Sequence, residues 1–240
     1  VAAGEPLPLK QAQINFQGHA IEVRLCAEDP AQAFMPQSGS FCAWAPADKL
    51  RVEHALDDGS EVPPFYDSMV AKLISHGTHR DEALRRLRAG LQDTVALGVT
   101  TNQAFLERCL AHPVFVAGQA TTGFIASHQG SLLVRDDDLL ARALTLVAWL
   151  SVAGQAPADP AATLVPRLPM QLQLAVGEQR FSVQVARQAA GHFDVTGRLA
   201  EGVVFQHSVQ GLRHSGQIIR YALDGVATSA TVLNQGARWY

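Results

Sequence analysis

An arginine on the polar side of an amphipathic strand is the residue of this sequence best placed to do chemistry. Residues 18–29 alternate, with Ile21, Val23 and Leu25 on one side and Glu22, Arg24, Cys26 and Glu28 on the other. That two-residue period marks a strand with one buried face. Arg24 therefore stands on the polar face with Glu22 and Glu28 nearby, and a guanidinium held there offers fixed donors to an anion or a developing enolate. A plainer role suits the same residues equally: Arg24 pairs with those carboxylates and stiffens the sheet. Tyr66 and Asp67 form the second candidate. They follow Pro63-Pro64, and two prolines enforce an extended approach that can aim a phenol and a carboxylate into a cleft. A turn capped by Asp67 is the alternative there.

Other chemistries find little support. The sequence has no Walker A loop, no GxGxxG, no GxSxG and no HExxH, so the commonest nucleotide, hydrolase and zinc-protease signatures are missing. Of nine histidines only His76 and His79 lie close together, with no carboxylate or cysteine at ligand spacing, and no metal site is expected. Ser68 and the cysteines Cys26, Cys42 and Cys109 have no recognisable base and carry no nucleophilic role. The odd cysteine count without CxxC spacing points away from a disulfide framework and toward a reducing compartment. Arg80, Arg85, Arg86 and Arg88 give one helix a basic side, but Asp81 and Glu82 interrupt it and no aromatics interleave. That pattern reads as a solvated helix face.

Bulk properties bound the rest. The chain has 240 residues, 48% hydrophobic and 17% charged, with 19 Lys+Arg against 22 Asp+Glu. That is enough for one large or two modest cores, and the charge balance singles out neither nucleic acid nor an anionic membrane. The most apolar stretch, 139–154, contains Arg142 and is shorter than a membrane helix requires. The start Val-Ala-Ala-Gly-Glu-Pro has neither an initiator Met nor a signal-peptide pattern, so the chain reads as a fragment of something longer.

These residues need elements to hold them. Strands are expected at 41–46 and 50–56, joined as a hairpin or meander through Ala47, Asp48 and Lys49, and again from Met69 to a stop at Gly77. A helix with a Thr78-x-x-Asp81 capping box should run over 78–96 on Leu84, Leu87, Leu91 and Val95, closed by Gly98. Further helices are expected over 102–111, burying Phe105, Leu106, Cys109 and Leu110, and over 122–128. Strands followed by helices argue α+β. A boundary near residue 135 divides a first domain, 1–134, from a second, 135–240. The second begins with an apolar helix at 136–153, with Leu140, Ala143, Leu144 and Val147 on one face, and continues as a proline-rich tether at 154–169. Residues 170–240 read as short strands with turns at Gly177-Glu178, Ala190-Gly191, Gly211, Asp224-Gly225 and Gln235-Gly236, the spacing of a small antiparallel barrel or sandwich.

Three blocks resemble the C-terminal domain of biotin carboxylase: Gly18-His19-Ala20-Ile21-Glu22-Val23-Arg24-Leu25-Cys26-Ala27-Glu28-Asp29-Pro30, Pro64-Phe65-Tyr66-Asp67-Ser68-Met69-Val70-Ala71-Lys72-Leu73-Ile74, and Gly98-Val99-Thr100-Thr101-Asn102. The resemblance covers roughly residues 1–130. It implies carboxylation of carrier-linked biotin with ATP and bicarbonate, through carboxyphosphate and a biotin enolate. By the same resemblance Arg24 contacts biotin and bicarbonate and stabilises the enolate, and Tyr66 and Asp67 line the same cleft. The ATP-grasp part that binds ATP and Mg2+ lies upstream, so this fragment is expected to be inactive alone. Lys72 is expected to be structural, since no Ala-Met-Lys-Met carrier motif occurs here, and the biotin itself sits on a carrier domain outside the chain. Residues 135–240 resemble the coupling domain of methylcrotonyl-, geranyl- and propionyl-CoA carboxylases. This implies docking to a carboxyltransferase β subunit, a hetero-oligomer, and a cytoplasmic or, in a eukaryote, mitochondrial matrix location. A carboxylase component for acetyl-CoA or urea, and a non-catalytic assembly module, are the alternatives.

Overall fold

The structure, a computed structural model, describes residues 2–153, 168–188 and 191–240. The chain divides into two compact units, Val1–Val134 and Arg135–Tyr240, and each has its own apolar core.

In the first unit β1 (His19–Cys26) buries Ile21, Val23 and Leu25 and exposes Glu22 and Arg24. It pairs antiparallel with β3 (Met69–Gly77), which pairs on its other side with β2 (Arg51–His54). Helix α1 (Arg80–Asp93) covers the apolar face: Ala83, Leu84, Leu87 and Leu91 join Ile21, Val23, Leu25, Ala71 and Leu73 in one core. The buried Ser75 hydroxyl in that layer donates to the Ala83 carbonyl at 2.7 Å. Helices α2 (Gln103–Ala111), α3 (Pro113–Val116) and α4 (Phe124–Leu132) follow. Phe105, Phe124 and Leu132 make a smaller core among them.

Several expectations are corrected. The strands at 43–45 and 51–54 do not form a hairpin: Ala43–Ala45 pairs with Val95–Leu97, and β2 with β3. Alternation marks a strand but does not choose its partner. Helix α1 stops at Asp93, because Thr94 turns extended and its hydroxyl closes back on the Gly90 carbonyl at 2.8 Å. Its start is also capped differently. His79 Nδ1 accepts the Glu82 N–H at 3.3 Å, while the Glu82 carboxylate accepts both the N–H and O–H of Thr78, at 2.7 and 2.6 Å. Helix α4 begins and ends later than expected. The arginines of α1 are not merely solvated: Arg80 donates to the Phe115 and Val116 carbonyls, Arg86 pairs with Glu82, and Arg88 pairs with Glu107. The acceptors of Arg80 and Arg88 come from α3 and α2, and Glu82, which pairs with Arg86, lies on α1 itself.

Gly98 holds φ at +110°, and a Cβ there would meet the Ser40 carbonyl and lie 2.6 Å from the Cys42 nitrogen. That is where Val95–Leu97 leaves Ala43–Ala45 and the chain turns toward α2. Gly98→Ala is expected to cost about 1–3 kcal/mol or more, read as a lower thermal midpoint; an unchanged midpoint would show that the turn relaxes freely.

In the second unit α5 (Asp137–Ala153) starts under the Asp136 carboxylate, which accepts the Leu139 N–H at 2.9 Å, and has Asp137 and Asp138 in its first turn. Ala141, Leu144, Thr145, Ala148 and Trp149 are buried while Ala143 is exposed. The apolar face is thus rotated from the expected one, because Trp149 turns inward while Arg142 turns outward to pair with Asp138 at 2.8 Å. Strands β4 (Met170–Val176), β5 (Gln179–Arg187), β6 (His192–Arg198), β7 (Val204–Ser215), β8 (Ile218–Leu223) and β9 (Val226–Thr231) pair in sequence order, each antiparallel to the next. Phe181, Val183, Val185, Val195, Val209 and Ile219 pack on α5. Among the described residues no pairing joins β4 to β9, so the expected small barrel is found as an open antiparallel meander. Gly211 is not a turn either. It sits at a register slip inside β7, where a Cβ would come 2.9 Å from Trp149, and the turn falls at Gly216. The turns at 177–178 and 224–225 are present, and the last falls one residue later than expected, at 236–237, because Gln235 pairs with Arg238. Most of the tether, 154–167, and Ala190 of the remaining turn lie outside the described residues.

Candidate functional site

The polar face of the three-stranded sheet carries two charged rows. The register sets Arg24 opposite Lys72 and Lys72 opposite Glu53; one step along, Glu22 faces Ile74 and Ile74 faces Arg51. Arg51 and Glu53 satisfy each other at 2.6 Å, and that bond and charge hold the Glu53 carboxyl below its ordinary range and raise the Arg51 guanidinium above its own. Arg24 is held far more loosely. Its side chain is 69% exposed and its Nε stands 3.9 Å from Glu22, beyond hydrogen-bonding distance. The fork of donors is therefore open, beside a second cation, on a rigid strand.

Glu28 does not join this pair. The register slips between Leu25 and Cys26, and the chain enters a separate short ladder, Glu28–Asp29 with Met35–Pro36. There the Glu28 carboxylate accepts the Ser68 hydroxyl at 2.6 Å, and the Ala27 N–H donates to the Ser68 carbonyl at 2.7 Å. These two bonds fasten the loop bearing Tyr66 and Asp67 to the end of β1. Asp67 accepts the Met69 N–H at 2.7 Å, an Asx turn that starts β3. Tyr66 and its neighbour Phe65 are 81% and 86% exposed.

Cys26 shows which groups converge. Burial pushes its thiol up, and the Glu28 and Asp67 carboxylates add to this, outweighing the Ser68 hydrogen bond and the Arg24 charge. The charges of Glu28, Asp67 and Arg24 and a hydrogen bond with Ser68 thus all act on one half-buried thiol, whose net shift is upward. Sequence reasoning missed Ser68, which bonds Glu28, and Lys72, which stands opposite Arg24. Alternation could place Lys72 on an outward face, but only the register brings it opposite Arg24. His76 and His79 go separate ways: His76 Nε2 meets the Gln17 carbonyl at 3.1 Å, and His79 caps α1. Among the described residues no three His, Cys, Asp or Glu side chains gather as a metal site, and no helix is long and apolar enough to cross a membrane.

Comparison with known proteins gives this geometry a family. The family model described as Biotin carboxylase C-terminal domain matches residues 22–127. Those residues are a biotin carboxylase C-terminal domain. Methylcrotonoyl-CoA carboxylase subunit alpha of Dictyostelium discoideum is 41% identical over 152 residues, 60% of this chain and 22% of the relative. The biotin carboxylase of Halalkalibacterium halodurans is 45% identical over 130 residues, 53% of this chain and 28% of the relative. Among solved structures, the biotin carboxylase domain dimer of Hydrogenobacter thermophilus 2-oxoglutarate carboxylase, in complex with MgADP, ADP and bicarbonate, superposes with a TM-score of 0.53 at 34% identity. It covers 56% of this chain and 30% of that one. The matched chain thus spans less than a third of each of these relatives. The matched residues 22–127 take in Arg24, Tyr66, Asp67, Ser68 and Lys72.

Proposed function

We propose that this chain is the C-terminal part of a biotin carboxylase subunit that carboxylates carrier-linked biotin with ATP and bicarbonate for transfer to an acyl-CoA. The observation that carries this reading is the exposed guanidinium of Arg24, 3.9 Å from the Glu22 carboxylate, inside a biotin carboxylase C-terminal domain. Biotin, when bound, supplies the N1′ nucleophile and the ureido oxygen on which negative charge develops. Arg24 directs planar donors at bicarbonate and at that oxygen, and Lys72 across the ladder adds positive potential. Tyr66 and Asp67, on the loop fastened through Ser68, line the same cleft. ATP and Mg2+ are assigned to a part of the subunit outside this chain, which alone is inactive in this reading.

For the second unit we propose docking of a carboxyltransferase β subunit. The match to the Dictyostelium subunit covers 60% of a 240-residue chain and is therefore longer than the first unit, so the likeness to an acyl-CoA carboxylase subunit runs into the second. The proposed location is the cytoplasm, or the mitochondrial matrix in a eukaryote. The second reading, a biotin carboxylase without its own carrier, is favoured by the 45% identity to the Halalkalibacterium enzyme. A streptavidin blot of source cells after denaturing electrophoresis, with bands identified by peptide mass, separates the two. This sequence is expected in a biotinylated polypeptide well above 25.7 kDa. A larger band without biotin would favour the second reading, and an unbiotinylated band at the chain's own mass would overturn both.

A further inference from the structure

The residue that opens α2 breaks a local rule. Asn is among the best helix N-caps, because its side-chain oxygen accepts an otherwise unpaired N–H of the first turn. Asn102 stands at that position, yet its side chain makes no cap bond. It is 6% exposed and turns both ends of its carboxamide to β1. Its Oδ1 accepts the Cys26 N–H at 3.0 Å, and its Nδ2 donates to the Arg24 carbonyl at 3.3 Å. Its own backbone N–H donates to the Cys26 carbonyl at 3.0 Å.

The place of these bonds explains the departure. Among the described residues β1 is an edge strand, paired only with β3, so alternate residues direct their backbone N–H and C=O groups away from the sheet. Residues 24 and 26 do so, and among the groups they leave there the Arg24 carbonyl and the N–H and carbonyl of Cys26 call for partners. Asn102 supplies them as a neighbouring strand would. It does so where the ladder to β3 loses register, between Leu25 and Cys26, so the strand end carrying Arg24 is weakest on one side where Asn102 braces the other.

We infer that Asn102 is a positioning residue for Arg24. By bonding the Arg24 carbonyl and both backbone groups of Cys26, it fixes the backbone from which the guanidinium projects, at the expense of capping its own helix. The inference rests on the role proposed above for Arg24. Asn102 is buried under the strand and acts only through Arg24, and a displacement of about 1 Å in a catalytic group can cost roughly 10²-fold in rate.

The test is a double-mutant cycle in the full carboxylase subunit, with carboxylation of free biotin measured for Asn102→Ala, Arg24→Ala and the double variant. The folded fraction of each is checked by circular dichroism and thermal midpoint. Asn102→Ala is expected to lose roughly tenfold or more in turnover, and the double variant to be no slower than Arg24→Ala alone. A merely structural role would instead multiply the two losses. Where Asn102→Ala folds poorly, the isosteric Asn102→Asp carries the same cycle: it keeps an acceptor for the Cys26 N–H and loses the donor to the Arg24 carbonyl. Multiplied losses, or full turnover without Asn102 while Arg24→Ala is impaired, overturn the positioning role. Full turnover of Arg24→Ala overturns the role of Arg24 itself.

Discussion

Arg24→Ala in the full carboxylase subunit is expected to slow carboxylation of free biotin by roughly 10²-fold or more, the loss that follows removal of one donor to developing negative charge. The two roles open to this residue differ in what they move. As a surface ion pair with Glu22, Arg24 would contribute at most about 1 kcal/mol to stability and nothing to the reaction. With Nε 3.9 Å from the carboxylate and the side chain 69% exposed, even that is generous. As an anion-stabilising donor it contributes about 2.7 kcal/mol to the barrier, the equivalent of 10²-fold, while its removal barely shifts the thermal midpoint. Turnover and midpoint measured on the same preparation therefore separate the two roles. Arg24→Lys should recover only part of the rate, because an ammonium keeps the charge but not the planar fork. Unchanged turnover in Arg24→Ala would eliminate the proposed role.

What the sequence revealed and what it concealed divide along one physical line. Period-two alternation at 21–25 places Ile21, Val23 and Leu25 inside and Arg24 outside, because burial of one sheet face is a local property of the chain. The leucines of α1 are readable for the same reason. Partnership is not local. Ala43–Ala45 pairs with residues fifty or more positions away, Glu28 turns from Arg24 to Ser68 because of one register slip, and Lys72 meets Arg24 only across a ladder. Asn102 shows the limit most clearly. At a helix start it reads as a cap, and only the unpaired edge of β1, 76 residues earlier in the chain, explains why it is not one. In the second unit the strands and most turns are legible from glycine-marked turns, whereas closure into a barrel is not, since it depends on the pairing of the first and last strands. The buried face of α5 is not legible in the sequence, because alanines count as apolar on either side, and Trp149 and Arg142 decide the rotation.

Removal of residues 135–240 from the full subunit is expected to spare carboxylation of free biotin and to abolish co-purification with the carboxyltransferase β subunit. Sparing is expected because Arg24, Tyr66, Asp67, Ser68, Glu28 and Asn102 all belong to the first unit, whose core includes no residue of the second. The cut also falls before Arg135, whose partners Asp137 and Gln179 both lie in the removed unit, so it strands no ion pair in the part that remains. Loss of docking is expected because the second unit offers what an obligate partner recognises. Strands β4 and β9 each lack a neighbour on one side among the described residues, and an unpaired edge is a template for another chain. Apolar side chains stand exposed along these strands and beside them, including Met170, Val176, Ile218 and Val226. A solvated surface has little reason to keep such groups on an open sheet edge, whereas an interface buries them. Carboxylation lost together with docking would show that the first unit depends on the second for its fold or its site. Docking retained without the second unit would place the β-subunit contact elsewhere in the carboxylase and leave the open edges of the meander to another partner.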